Sequence, residues 1–523
     1  MKNILTRRAN VTKTPSSKRS LTLIFIVAAT LLLVSACGRN HEGDTRYAAL
    51  TLEDVLAIAQ YRREGVIRPG DERLAGLTEG RPRQTVNVAA LLVPVEQAEI
   101  ISSADAIYDI VLFFNLLREV YGAYFYFGGD EVFFPIRDQI IDTLSTQDYW
   151  EYHGFIYMLY RALAPVINDS HFRLDVWAMG NTYHFFQDIS IVPFGRSENG
   201  FYKKETGLYV EEIISEGQSL VLDEIFRLSL NNLGEFYYSP VIMLPFAVNS
   251  PLTIMITVVY ANGEEGGLRL TRIPATMMAQ QPASLEYHDG IPVVNLGMLM
   301  GNPFAMGEGF WADAHEDALR FISFAYELQD EPVIIVDIRS NLGGFPQPGF
   351  MWLYQIIGEV IPINSIGVSV QDVDMLTWPD MDEEHFLYIP YDITVKYLGY
   401  EQLDELHVVA GIIPERIVPN NQLLIFLTDR WTASAGEMFA DAAFNIENTL
   451  IIGQNTMGAL FNNVNYMELY LPNSGLSFGL GRTTFINPEG HLPEGIGIAP
   501  DIWVTGDALA AALTMLDKHF QVE

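Results

Sequence analysis

The chain has 523 residues, 49% of them hydrophobic, which excludes wholesale disorder. At about 150 residues each, that length allows roughly two to four domains with ample core. The 65 Asp and Glu against 31 Lys and Arg give a formal net charge of −34, the wrong sign for nucleic-acid binding driven by phosphate contacts.

The N-terminus reads as a targeting segment and is set apart from the fold. Lys2, Arg7, Arg8, Lys13, Lys18 and Arg19 form a basic stretch with no acid. An apolar run, Leu21 to Ala36, follows and leads at once to Cys37-Gly38. That run is short for a bilayer-spanning helix, which needs about 20 apolar residues. V-S-A-C at Val34–Cys37 resembles the lipobox of bacterial lipoproteins, with Val where Leu is usual. The resemblance implies a signal peptide over 1–36 and a lipid on Cys37. The expected location is the extracytoplasmic face of a cell membrane, with the chain anchored through the polar stretch Gly38–Asp44. An uncleaved signal anchor is the alternative, and it puts the bulk of the chain on the same side. Cys37 is the only cysteine, which excludes an intrachain disulfide and a cysteine nucleophile in the fold.

Residues 37–100 are a linker and N-terminal segment, with a short helix expected over Leu52–Tyr61 and a strand over Val86–Val95. Residues 101–195 read as a helical subdomain. One helix is expected over Ala104–Phe127 and a second over Asp148–Ile167, their many aromatics packing a core. Residues 196–285 form a β-rich module. T-I-M-I-T-V-V-Y at Thr253–Tyr260, the turn A-N-G-E-E-G-G and L-R-L-T-R-I predict a hairpin. From 286 to 523 strands and helices alternate. Strands are expected from Pro292, at Val333–Ile338, at Leu423–Thr428 and at T-L-I-I-G, with helices at Phe310–Leu328, Gln347–Val360 and Ser434–Asn445. That alternation indicates an α/β layer with a mostly parallel sheet, whose reactive residues sit just past the C-terminal ends of strands.

Two segments occupy such positions. Asn341–Gly344, N-L-G-G, follows the strand at 333–338, and D-R-W-T-A-S-A-G-E follows Leu423–Thr428. Ser434 and Glu437 make the Ser-x-x-Glu pattern of a helix capping box, so Ser434 is either a cap or a nucleophile. A nucleophile needs a base, a group that orients the base, and N–H donors for the oxyanion. Gly343 or Gly344 offers one donor and the amide of Ala435 a second. His171, in I-N-D-S-H-F-R-L, is the candidate base, with Asp169 and Ser170 beside it to hold its tautomer. Glu494, between Pro493 and Gly495, is the candidate orienting acid. Each piece alone also has a structural reading: a plain turn, a structural histidine, a solvated turn acid. H-E-x-x-H, the Gly-rich phosphate loop and C-x-x-C are absent, and Ser434 does not stand in G-x-S-x-G because Thr432 lies two before it, so no metal or organic cofactor is expected.

Taken in order, V-I-I-V-D-I-R-S-N-L-G-G, T-A-S-A-G-E-M-F-A-D-A, I-I-G-Q-N-T-M-G and L-P-E-G-I-G-I-A-P-D-I resemble the S41 peptidase family. This family contains the C-terminal processing (tail-specific) proteases and the core of the tricorn protease. The resemblance covers roughly Ala104–Ile191 and Ile291–Phe520. It implies an α/β core of ClpP/crotonase-like type with a largely parallel sheet flanked by helices, an N-terminal helical region, and a β-rich middle module at the place of a PDZ domain. It implies Ser434 as nucleophile. Processing proteases of the family pair the serine with a lysine about 25 positions later in T-x-G-K. Here that segment reads T-M-G-A, ending at Ala459, and no lysine lies between Lys396 and Lys518. The tricorn-like branch uses Ser with His, assisted by a Ser next to that His and by a Glu, matching His171, Ser170 and Glu494. The middle module shows no clear PDZ carboxylate-binding loop.

The expectation is a membrane-anchored, extracytoplasmic serine peptidase. It would act on protein or peptide substrates by a Ser/His mechanism, with no nucleic-acid partner. The alternatives are an inactive peptide-binding or scaffold lipoprotein, favoured by Ala459, and a non-peptidase ester hydrolase.

Overall fold

The structure is a computed structural model that describes residues 50–64, 89–180, 182–188, 192–246, 250–279, 281–297, 310–359, 361, 366–369, 401–402, 408–410, 417–462, 468–481, 483–486 and 494–520. Cys37 and the leader, the first three residues of the expected strand (Val86 to Val88), and Pro493 lie outside them.

The N-terminal part is helical. Helix α1 spans Leu52–Glu64, α2 Ser103–Val120, α3 Gly129–Leu144 and α4 Tyr152–Leu163. The strand expected over Val86–Val95 is not formed where it is described. Ala89–Leu91 is a 3-10 turn whose Leu91 is buried in the helical core, and Pro94 has no N–H for a ladder. The helix expected over Ala104–Phe127 stops at Val120, and α3 follows with Pro135 inside it. Sequence periodicity missed α3 because Pro135 and the Gly128-Gly129 pair before it read as breakers. Phe113, Phe114, Tyr121, Tyr124, Phe133 and Phe155 are fully buried in this core, as expected for packing aromatics. Phe461, Leu469, Leu471, Leu476, Phe478 and Leu480 join it from the far end of the chain.

The remaining strands used below are β1 Tyr183–Gln187, β2 Val210–Ser215, β3 Phe226–Leu230, β4 Phe236–Pro245, β5 Thr253–Tyr260, β6 Glu265–Arg272, β7 Ser284–His288, β8 Ile291–Asn295, β9 Val333–Asp337, β10 Leu423–Thr428, β11 Thr449–Gly453 and β12 Ile502–Trp503. Helices α5 Phe310–Glu327, α6 Gln347–Ile357, α7 Ala435–Ala443 and α8 Ala508–His519 alternate with the later strands. The order across the sheet is β7-β8-β9-β10-β11-β12-β3-β4-β1-β6-β5-β2. From β8 to β3 neighbouring strands run parallel, and beyond β3 they run antiparallel. The core is thus a mixed sheet with flanking helices, parallel where sequence alternates strand with helix. The β-rich residues after 196 continue this same sheet, joined through β3 and β12 at Ser229 and Trp503.

Strands β9, β10 and β11 are buried at every position, which is why they read as continuous apolar runs. Helix α7 is fixed on them by Phe439, fully buried and edge-on to Phe426 of β10, with ring centroids 5.1 Å apart. Phe321 and Trp352 close the cluster from α5 and α6. A buried Phe contributes about 1.5–3 kcal/mol, so this packing sets where the first turn of α7 lies.

Candidate active site

Three adjacent parallel strands, β9, β10 and β11, deliver the loops 338–344, 429–434 and 454–461 from their C-terminal ends. Backbone groups tie the first two together. Asn341 is fully buried. Its Nδ2 donates to the Leu296 carbonyl at 2.8 Å, its Oδ1 accepts the Gly343 amide at 2.9 Å, and its own carbonyl accepts the Ala433 amide at 2.8 Å. Asp429 accepts both the amide and the hydroxyl of Ser340, at 2.8 and 2.9 Å.

Ser434 sits at the sharp turn from this loop into α7, with φ 51° and ψ −119°. A non-glycine residue held there costs on the order of 1–3 kcal/mol, a conformation that persists only where the surroundings impose it. Gly343 presses against it. A Cβ on Gly343 would lie 2.7 Å from Ser434 Cβ and 2.8 Å from both the Ala433 oxygen and the Ala435 nitrogen. The pairing expected from sequence, a Gly-rich turn against the serine and the Ala435 amide, is present in space. Of the two candidate glycine donors, Gly343 already gives its amide to Asn341 Oδ1, which leaves Gly344. The Ala435 amide, at the first position of α7, has no acceptor among the described residues.

The capping question has a specific answer. Glu437 Oε2 accepts the Ser434 amide at 3.0 Å, the reciprocal half of a capping box. The Glu437 amide reaches the Ser434 carbonyl at 2.9 Å, so the helix start is closed by main chain and by Glu437. The Ser434 side chain forms the other half of the box, set toward the Glu437 amide. Glu437 is fully buried and accepts four donors. The other three are the Thr456 hydroxyl at 2.5 Å, the Gly458 amide at 2.8 Å and the Ala459 amide at 2.7 Å. Burial pushes its carboxyl above the ordinary range, and these hydrogen bonds pull it back.

Arg430 clamps the same region. Its guanidinium donates to the carbonyls of Thr456, Ile496 and Gly495, the last two at 3.0 and 3.1 Å, and more weakly to Met457. Burial lowers its pKa to about 10, against the favourable charges of Glu437 and Asp429, so it is cationic at neutral pH.

The second cluster forms where the helical region meets the C-terminal loops. Glu494 is buried. Its Oε1 accepts the Ser170 amide at 2.8 Å and the Ser170 hydroxyl, and its Oε2 accepts the Phe461 amide at 3.1 Å. Burial, and then the charge of Asp169, push Glu494 up to about 8. His171 lies next to Ser170. Its Nδ1 is buried with no hydrogen-bond partner among the described residues, and burial lowers its pKa, partly opposed by Asp169. The ring is therefore neutral at pH 7 and able to take a proton. Asp169 does not hold the ring as expected. Its carboxylate faces the helical core, taking the His171 backbone amide at 2.9 Å, the Tyr121 hydroxyl at 2.7 Å and Asn462 Nδ2 at 2.9 Å.

Residues 456–461 bridge the two clusters. Their amides and the Thr456 hydroxyl serve Glu437 at one end and Glu494 at the other. Gly458, with φ 82°, lies against the backbone of Gly495 and Gly497, a contact that no Cβ would fit. Among the described residues no hydrogen bond joins the His171 ring to Ser434. Sequence reasoning passed over Asn341, Asp429 and Arg430, although the first stands inside S-N-L-G-G and the others open D-R-W-T-A-S. No grouping of His, Cys, Asp and Glu among the described residues could hold a metal ion.

Residues 307–504, which hold both loops and Glu494, match the family described as Peptidase family S41. The chain carries a domain of peptidase family S41. The matched residues begin after the helical part that supplies Ser170 and His171. No curated protein matches the chain. Among solved structures, mature CPAF complexed with lactacystin is similar at 14% identity and TM-score 0.40, covering 80% of this chain and 97% of that one. The photosystem II D1 C-terminal processing protease is similar at 13% identity and TM-score 0.35, covering 80% and 97%. The tricorn protease is similar at 13% identity and TM-score 0.28, covering 78% of this chain and 35% of that one. In the S41 domain Ala459 is buried and turns its amide, not a charged side chain, toward the helix that carries Ser434.

Proposed function

We propose that the protein is a membrane-anchored, extracytoplasmic serine peptidase that cleaves proteins or peptides with Ser434 as nucleophile. The observation that carries this reading is the backbone of Ser434. It is strained, packed against Gly343 and held at the sharp turn from strand into helix, where Glu437 also closes the helix start. In this mechanism His171 takes the Ser434 proton as the hydroxyl attacks a peptide carbonyl. The proton passes to the leaving amine, and water then releases the acyl group by the same base. The amides of Ala435 and Gly344 stabilise the oxyanion, each donor worth about 10²–10³-fold. Ser170 and Glu494 position the segment that carries His171. The imidazole is neutral at pH 7 and so open to the proton, while burial lowers its basicity and Asp169 partly restores it. No metal or organic cofactor enters these steps.

The test is a fluorophosphonate probe on the full-length protein, with the adduct mapped by peptide mass. An adduct on Ser434 that disappears in His171→Ala is the expected result, and peptide turnover should fall about 10²–10⁴-fold in that variant. A second reading, an inactive peptide-binding or scaffold lipoprotein, is favoured by Ala459 at the position of the family lysine. It predicts a folded protein with peptide affinity and no adduct. Turnover of simple esters without peptides would instead indicate an ester hydrolase. The anchor rests on V-S-A-C and Cys37. A mature N-terminus at Cys37 that carries acyl groups by mass is expected, and an unprocessed Met1 terminus would overturn it.

A further inference from the structure

A cavity of about 250 Å³ lies where the antiparallel strands meet the loop before Ser434. Tyr183, His184 and Phe185 of β1 line it, with Phe246, Arg272 of β6, Ile273, Pro274, Ala275, Arg430 and Gln454. Its polar chemistry is one-signed. Two arginines and a histidine face it, and no acid lines it, in a chain whose acids outnumber its Lys and Arg 65 to 31. Arg272 makes no side-chain hydrogen bond or ion pair among the described residues. His184 Nε2 is buried and unpartnered. The charges of Arg272 and Arg430 both reach the His184 ring, which shows that the three groups converge. Around them the wall is aromatic and aliphatic. Phe246 packs 4.9 Å from the His184 ring, and Phe185 lies under the Arg430 guanidinium at 4.8 Å.

A buried ring nitrogen without a partner costs free energy that a ligand atom recovers. A guanidinium without an acid is the fork that a carboxylate fits. The apolar wall demands an apolar body on the ligand, and the volume sits just below the range of about 300–1,000 Å³ typical of drug-sized ligands. We propose that this cavity binds a carboxylate carried on a small apolar or aromatic body, with Arg272 and His184 Nε2 as its direct partners and Arg430 as the charge behind them. The carboxylate belongs either to a free small acid or to an acidic residue of a bound peptide. The site stands whether or not Ser434 is a nucleophile.

Calorimetric titration of the full-length chain in detergent tests this with phenylacetate against its neutral counterpart phenylacetamide, and with end-capped Phe-Glu against end-capped Phe-Gln. At least one acid is expected to bind at least about tenfold more tightly than its amide, a difference of about 1.4 kcal/mol. Binding of phenylacetate assigns the site to free acids, and binding of Phe-Glu alone assigns it to peptides. Arg272→Met is expected to weaken the acid by about tenfold or more. His184→Phe keeps the ring, removes the nitrogens, and is expected to weaken it as well. Unchanged circular dichroism in both variants separates a lost ligand from a lost fold. Equal binding of acid and amide, binding of neither acid, or acid binding untouched in both folded variants would overturn the proposal.

Discussion

The Ala459 amide donates to Glu437 Oε2 at 2.7 Å, and that same oxygen accepts the Ser434 amide at 3.0 Å. The residue standing where the family lysine is expected is therefore tied, through one carboxylate oxygen, to the turn that carries the serine. This contact joins the 456–461 segment to α7 through main chain, with no charged side chain at 459. It also makes Glu437 the part of the site most sensitive to substitution.

Glu437→Gln tests that dependence. A carboxylate accepts from all four donors. The amide that replaces one oxygen is itself a donor and faces N–H groups with nothing to give them. Each buried group left unpaired costs about 1–3 kcal/mol, so a loss of about 3 kcal/mol is expected in urea denaturation. A loss under about 0.5 kcal/mol, the ordinary range for an uninvolved surface site, would show that the buried carboxylate is not the clamp described here.

Gly343→Ala is expected to disturb the serine more than the fold around it. The new methyl would stand 2.7 Å from Ser434 Cβ at a φ of +96°, so both contact and backbone oppose it. The expected stability cost is about 2 kcal/mol, together with loss of fluorophosphonate labelling at Ser434. Labelling at the wild-type rate would mean that the glycine turn does not shape the nucleophile.

Asn341→Ala removes a side chain that ties Leu296, just past β8, to the 338–344 loop, and keeps the main-chain bond to Ala433. The Leu296 carbonyl and the Gly343 amide lose their partners, at about 1–3 kcal/mol each. We expect a lower unfolding midpoint and a slower labelling rate. A drop in rate without a drop in midpoint would point to a direct role in the reaction instead.

Glu494 gives the site a pH dependence whose sign follows from burial. Its carboxyl is pushed up to about 8, above the ordinary value near 4.3 that it regains on unfolding. Between those values the native state holds a proton that the unfolded state has released, so stability falls as pH rises through that window. The slope from this one group is at most about 1.4 kcal/mol per pH unit. Glu494→Gln, which cannot ionise, should flatten that part of the stability profile in denaturation series from about pH 5 to about pH 8. An unchanged slope would mean that Glu494 is ionised at neutral pH.

The sequence by itself determined the elements whose signal is local. Leu423–Thr428 and Thr449–Gly453 are strands as read, because a strand buried on both faces must be apolar throughout. The start of α7 at Ser434 was legible from Ser-x-x-Glu, since a cap and its acid lie three residues apart in any helix. The stop at Val120 and the helix from Gly129 were not legible, because tertiary packing of Phe133 and Tyr124 outweighs the local cost of Gly and Pro.

Only the tertiary structure decided how the candidate residues group. It set Ser170 beside Glu494, 324 residues on, and Glu494 beside the segment that also serves Glu437. It also joined the β-rich strands to the core sheet and turned Asp169 away from the His171 ring. The physical reason is common to these cases. The buried carboxylates are held largely by backbone amides, which every residue but proline carries, so no choice of side chain announces the partner. Which amide reaches which oxygen depends on loops closed over long stretches of chain, and that is fixed only when the sheet and the helical core have packed.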